Sequence, residues 1–252
     1  MTPPLDELGG GAVSLPIGLR GALMFPDPAS ALSSTTFIES DHPALRNLVT
    51  QLSRAHPSSR DRAVAAFRFV RDSVAYEFRA KLRPEEYRAA YVLERKTGFC
   101  VQKAVLLVAL LRALNVPSVL VLADLRDRTI PQRIARVMGT DVMCGHGLAA
   151  VYLDGTWMLI DPSHDAVFAA RKRYRLVEWA GVSDAVMAAT TEDGRPHAEY
   201  VAMHGAFLDL SLPLLFQIFA EAYGAVDVSA LKAAGVDMNQ VDGAALAALL
   251  DR

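Results

Sequence analysis

Residues 98–117 read GFCVQKAVLLVALLRALNVP, and the fold is decided there. From Val101 to Leu114 the chain is apolar nearly all round, so a helix over this stretch must be buried. Asn115 is a helix-stopping residue and Pro117 prevents continuation. The densest run, Ala104 to Leu111, is closed by Lys103 and Arg112. It is far shorter than the roughly 20 residues a membrane span needs. The run at 212–220 is similarly short and contains Pro213 and Gln217. Both therefore read as core of a globular chain.

Downstream, residues 118–125 (SVLVLADL) have strand length and β-branched content. A long connection with Arg126, Arg128, Arg133 and Arg136 follows, over 126–145; connections of that length are usually functional or mobile. Then comes a hairpin: one strand over 148–153, the tight-turn pair Asp154-Gly155, a return strand over 156–161, and Pro162 as a stop. Residues 175–179 are expected to add another strand. Upstream, Ala44, Leu45, Leu48, Val49 and Leu52 form a helical stripe capped by Ser40 or Asp41 and closed by His56-Pro57. Ser58-Ser59-Arg60-Asp61 opens a second helix that runs to about Tyr76. Residues 77–83 read as a charged loop, and Pro84 opens a short helix carrying Tyr87, Tyr91 and Leu93. Residues 1–36 form an irregular arm anchored through Leu15, Ile17, Leu23 and Phe25. Beyond about 185 the pattern turns helical, over 212–223 and 229–250. The expectation is a single domain over 1–252: the arm (1–36), a core (37–185) and a helical C-terminal extension (186–252).

The 252 residues are 52% hydrophobic and 21% charged, which excludes a disordered chain. A net charge of −2, from 26 basic and 28 acidic residues, excludes a bulk basic footprint for nucleic acid or an anionic membrane. Two cysteines cannot build a disulfide framework, which points to a reducing compartment. The first basic residue is Arg20, a poor start for a signal peptide. The chain reads as cytoplasmic, with no nucleic-acid or membrane partner.

Three residues carry the chemistry. Cys100 stands where the buried helix begins, and a helix start favours an anion, hence a thiolate. His146 opens the hairpin between Gly145 and Gly147, two glycines that suit a close approach of backbone or substrate. A two-residue turn pairs Leu153 with Thr156, and counting back puts residue 148 opposite 161. Asp161 and His146 then share one end of the hairpin, where the carboxylate can orient the imidazole. Cys, His and Asp in this order form a nucleophile, base and orienter set. Strand alternation would put Cys144 on the face of His146, lining the same pocket. Cys144 and His146 with Asp161 and His164 sketch a zinc site, but no C-x-x-C or H-E-x-x-H spacing supports it. His164-Asp165 is a further acid–base pairing to weigh, and His197 and His204 are spaced to share a helix face.

These segments resemble the transglutaminase-like superfamily, a branch of the papain-like cysteine enzymes. The resemblance rests on Gly98-Phe99-Cys100, on LLRALNVP over 110–117, and on HGLAAVYLDGTWMLIDP over 146–162, and it covers roughly 40–165. It implies an α+β fold: a transglutaminase-like/papain-like core with the buried nucleophile helix packed on an antiparallel sheet, plus the irregular arm and helical extension. It implies Cys100 as nucleophile, His146 as base and acid, and Asp161 as orienting carboxylate. Leu148 replaces the family's usual Trp, and Ala150 its frequent Glu. The oxyanion hole should include the Cys100 backbone N–H. Tyr76, Tyr91 and Lys96 are candidates for its second donor by type alone, whereas an ionised Glu94 has no proton to donate.

The implied activity is acyl transfer through a thioester acyl-enzyme: hydrolysis or aminolysis of an amide, ester or carrier-protein thioester. Neither metal nor cofactor is needed. The partner is a small-molecule or peptide acyl substrate, free or carrier-bound. The rival reading is a non-catalytic binding or scaffolding protein on the same fold.

Overall fold

The computed structural model describes residues 17–81 and 83–223. The expected anchor Leu15 and the helix expected over 229–250 lie outside these residues. The helices are α1 (Ile17–Gly21), α2 (Pro43–Ala55), α3 (Ser59–Ser73), α4 (Ala89–Arg95), α5 (Cys100–Ala113), α6 (Gln132–Met138), α7 (Ala166–Lys172) and α8 (Leu212–Tyr223). The strands are β1 (Ala75–Tyr76), β2 (Thr97–Gly98), β3 (Ser118–Asp127), β4 (Val142–Leu153), β5 (Thr156–Ile160) and β6 (Ala198–Phe207). The fold is α+β, with α5 laid across a four-stranded antiparallel sheet of order β5-β4-β3-β6.

Helix α5 is buried as its sequence demands, with no exposed surface from Val101 to Leu111. A helix this enclosed must pair every polar side chain it carries. Gln102 Oε1 accepts the Phe99 N–H at 3.2 Å, and its amide donates to the Glu86 carbonyl at 2.6 Å. Lys103 Nζ donates to the carbonyls of Arg71 (3.0 Å) and Val74 (2.6 Å) at the end of α3. Burial is the main cause that lowers its pKa, to about 7. Arg112 spreads its donors over the carbonyls of Ser118, Ser33 and Leu208 at 2.6–2.9 Å. The helix ends through Asn115 at φ 60°, a left-handed conformation that Asn tolerates.

The hairpin has the expected register: Leu153 pairs with Thr156, and Ala149 with Ile160. Elsewhere the elements depart from the sequence reading. The connection over 126–145 is mostly structured, because β3 extends to Asp127, α6 follows, and β4 already begins at Val142. Arg126 pairs with Asp141 and Glu199, and Arg128 with Glu199. Residues 175–179 form no strand. The fourth strand is β6, within the stretch expected to be helical, and it takes the edge of β3 that β4 leaves open. The cap of α2 is His42, whose Nδ1 accepts the Ala44 N–H at 3.2 Å, rather than Ser40 or Asp41. Helix α3 opens as expected, with Ser58 Oγ accepting the Asp61 N–H at 3.0 Å, but it stops at Ser73. The chain then turns extended so that β1 pairs in parallel with β2, which sets Tyr76 beside Gly98. The N-terminal arm is pinned by Phe25, whose ring stacks 5.0 Å from that of Trp157, and by the Arg20–Asp184 ion pair. Among the described residues, no helix is long and apolar enough to cross a membrane.

Candidate active site

Cys100 is the first residue of α5, preceded by Phe99 in extended conformation. The first N–H groups of a helix have no carbonyl within the helix to bond, and its dipole is positive at that end. Gly147 sets how closely this end approaches the sheet. A Cβ there would lie 2.5 Å from Val101 Cα, 2.9 Å from Val101 N and 3.1 Å from Cys100 C. Only a residue without a side chain lets the first turn of α5 rest on β4, one position past His146.

His146 Nε2 is 2.7 Å from Asp161 Oδ2. In the hairpin register, residue 161 is next opposite 148, so the contact is a diagonal one across the strand pair. The carboxylate meets two further donors. Oδ1 accepts the Ser163 N–H at 2.9 Å, and Oδ2 also accepts the Tyr200 hydroxyl at 2.8 Å. The Tyr200 oxygen in turn accepts the Met187 N–H at 3.3 Å. All three groups are buried.

Burial on its own pushes the imidazole down. The adjacent Asp161 carboxylate, Cys100 and hydrogen bonds to both outweigh it and raise His146 to about 10. For Asp161, burial pushes upward, but the imidazole and the donors around it hold the carboxyl well below the usual range. The pair is therefore imidazolium and carboxylate at neutral pH. With Nε2 on the carboxylate, Nδ1 is left to meet the thiol of Cys100.

The remaining candidates separate. Tyr76 is brought close: its hydroxyl is held well above the usual phenol range, first by burial and then by the charges of Cys100 and Asp161. It keeps its proton and can donate it. Its ring packs edge-on against His164 and Phe168, at 4.7 and 4.8 Å, and its N–H bonds Asp165 Oδ2 at 2.7 Å. Tyr91 faces Glu86 across 3.5 Å and lines a surface depression with Glu39, Arg88 and Glu94, whose lining includes none of Cys100, His146 or Asp161. Lys96 is exposed, and Leu148 is fully buried two residues past His146.

Cys144 does not share the face of His146. Between Ala123 and Leu125 the β3–β4 register shifts, so Cys144 and Gly145 together oppose Asp124. This is a bulge, with Gly145 at φ +71°, and an extra residue reverses the alternation. The Asp124 carboxylate accepts the Gly145 N–H at 3.1 Å and meets His204 Nε2 at 2.6 Å. Burial and Asp124 push the Cys144 thiol up to about 11. His164 is not half of an acid–base pair with Asp165. Burial lowers it to about 3, so it stays neutral, a ring packed among Tyr76, Phe168 and Tyr174. Asp165 instead caps α7 by accepting the Phe168 N–H at 2.8 Å. His197 and His204 share no helix: His197 stacks 3.8 Å from Tyr174, and His204 is on β6. Among the described residues, no group of three or more His, Cys, Asp and Glu is arranged to hold a metal ion.

Residues 46–162 match the family model described as the transglutaminase-like superfamily. Over this stretch the chain is similar to a transglutaminase-like core. The stretch contains Cys100, His146 and Asp161 and stops short of α7, β6 and α8. A crystal structure of a candidate cysteine protease from Cytophaga hutchinsonii aligns at 16% identity with a TM-score of 0.43, covering 75% of this chain and 58% of that one. The present chain thus spans little more than half the length of that protein. No curated protein matches the chain.

Tyr200 is the site residue that sequence reasoning missed. It lies on β6, 39 residues from the carboxylate it bonds, and only the pairing of β6 with β3 brings it there.

Proposed function

We propose that the chain is a cysteine-nucleophile acyl-transfer enzyme, hydrolysing or aminolysing an amide, ester or thioester. The match of residues 46–162 to the transglutaminase-like superfamily supports cysteine-based catalysis in general. The observation that carries the finer reading is the buried His146–Asp161 pair at 2.7 Å, poised at the helix start that bears Cys100. Cys100 Sγ attacks the acyl carbon, and the carbonyl π electrons move onto oxygen. The Cys100 backbone N–H and the Tyr76 hydroxyl stabilise that oxyanion. As the carbonyl reforms, the bond to the leaving group breaks and His146 supplies the departing proton. Water or an amine then attacks the thioester, His146 takes its proton, and the thiolate is released to accept the next acyl group. Asp161 holds the ring and its charge throughout.

The test is intact mass spectrometry after mixing with a panel of acyl thioesters. An acyl adduct mapped to Cys100 and absent in Cys100→Ser is expected. An adduct on Cys144 would reassign the nucleophile, and none on either thiol would overturn the reading.

A further inference from the structure

Helix α8 lies outside the family-matched core, yet its rings pack toward the residues that precede both Cys100 and His146. Phe216 is 6.2 Å from Tyr87, and Tyr87 is 5.8 Å from Phe99, the residue before Cys100. Phe219 stands 6.5 Å from Phe216 and packs on Gly145, where its Cε1 is 3.2 Å from the position a Cβ would take. Tyr223 follows at 6.0 Å, its oxygen accepting the Cys144 N–H at 2.7 Å. The row of rings therefore spans from the residue before the nucleophile to the residues before His146. Phe216, Phe219 and Tyr223 are each only half-buried, so they keep surface to offer. The polar residues of α8, Gln217 and Glu221, are exposed and bond each other at 2.8 Å. Burial first, and then Cys100, raises the Tyr87 hydroxyl, while burial first, and then Cys144 ahead of Cys100, raises that of Tyr223.

We propose that Phe216, Phe219 and Tyr223 form the acyl-binding wall of the Cys100 site, so that the donor carries an uncharged apolar or aromatic acyl group. The proposal rests on the acyl-transfer reading. Apolar acyl chains gain by leaving water against such a wall. A charged acyl group would be desolvated there without a partner.

The experiment measures single-turnover acylation of Cys100 by S-acyl-N-acetylcysteamines with acetyl, hexanoyl, phenylacetyl and succinyl groups, read by intact mass. In each, the Sγ–acyl bond forms, the donor C–S bond breaks and N-acetylcysteamine leaves with a proton. Hexanoyl and phenylacetyl donors are expected to react at least about tenfold faster than acetyl and succinyl, the scale on which apolar pockets discriminate. In Phe219→Ala the phenylacetyl-to-acetyl ratio should fall about tenfold. Loss of folded protein lowers all rates together and leaves that ratio alone. Phe219→Leu keeps bulk but not the ring, should move preference from phenylacetyl toward hexanoyl, and carries the test if the alanine variant does not fold. No adduct from any donor in the wild type overturns the acyl-transfer reading itself. Adducts without chain preference, or a ratio indifferent to residue 219, overturn the wall alone.

Discussion

Gly147→Ala isolates the contact that spaces the thiol from the imidazole. The added Cβ would lie 2.5 Å from Val101 Cα, against backbone that cannot swing aside. Carbon atoms in contact rest about 3.5–4.0 Å apart, so the first turn of α5 must withdraw from β4 by about 1 Å. Overpacking of this kind costs about 1–3 kcal/mol of stability. The site is affected in two ways. Alkylation of Cys100 by iodoacetamide at neutral pH should slow, because the first turn of α5 that presents the thiol stands about 1 Å further from β4 and His146. Acyl transfer is more sensitive to alignment, and about 1 Å of misplacement costs about a hundredfold. Alkylation is followed by peptide mass spectrometry, acylation by single turnover, and stability by urea denaturation. Gly145→Ala is the control: its Cβ meets side-chain ends, Leu215 Cδ1 at 3.1 Å and Phe219 Cε1 at 3.2 Å, and its strain comes from φ +71°. It should lose stability while alkylation of Cys100 stays within about twofold of wild type. Alkylation and acylation rates in Gly147→Ala within twofold of wild type would refute the idea that this backbone contact sets the spacing.

Tyr200→Phe removes one donor from the Asp161 carboxylate; hydrogen bonds to charged groups contribute about 1.5–3 kcal/mol, so acylation should slow at least about tenfold and the urea midpoint should fall. Cys144→Ala should leave acylation of Cys100 unchanged, because the Cys144 thiol, held at about 11, stays protonated at neutral pH and sits behind the bulge; a large loss would bring Cys144 back into the site. His146 gains its proton affinity on folding. Its contribution to stability is therefore fully present below the ordinary histidine value of 6.5 and lost as pH rises toward about 10. The difference in urea stability between wild type and His146→Gln should shrink across that interval, and a difference that grows would reverse the assigned sign.

The sequence made visible what is local. The buried helix announces itself by unbroken apolarity, and the hairpin by Asp154-Gly155, whose two-residue turn fixes the register that brings His146 to Asp161. The close approach at Gly147 was legible as a glycine beside a histidine, though not what it approached. Non-local features left no such mark. Strand β6 was hidden because its pairing with β3 shifts register near Leu122 and again near Asp124, which blurs the two-residue alternation. The bulge at Gly145 defeats alternation in the same way, so strict alternation assigns Cys144 to the wrong face. Tyr200 went unseen because its partner is fixed by sheet order rather than by spacing in the chain.

The position of β6 also sets an order of assembly. Hairpins close within about 1–10 μs, whereas contacts distant in sequence form more slowly. His146 and Asp161 sit 15 residues apart on β4 and just past β5, so they meet when that hairpin zips. Tyr200 docks only after β6 has found the open edge of β3. In folding, the bracing of Asp161 by Tyr200 is therefore the later contact, because it needs a completed sheet rather than the closing of one hairpin.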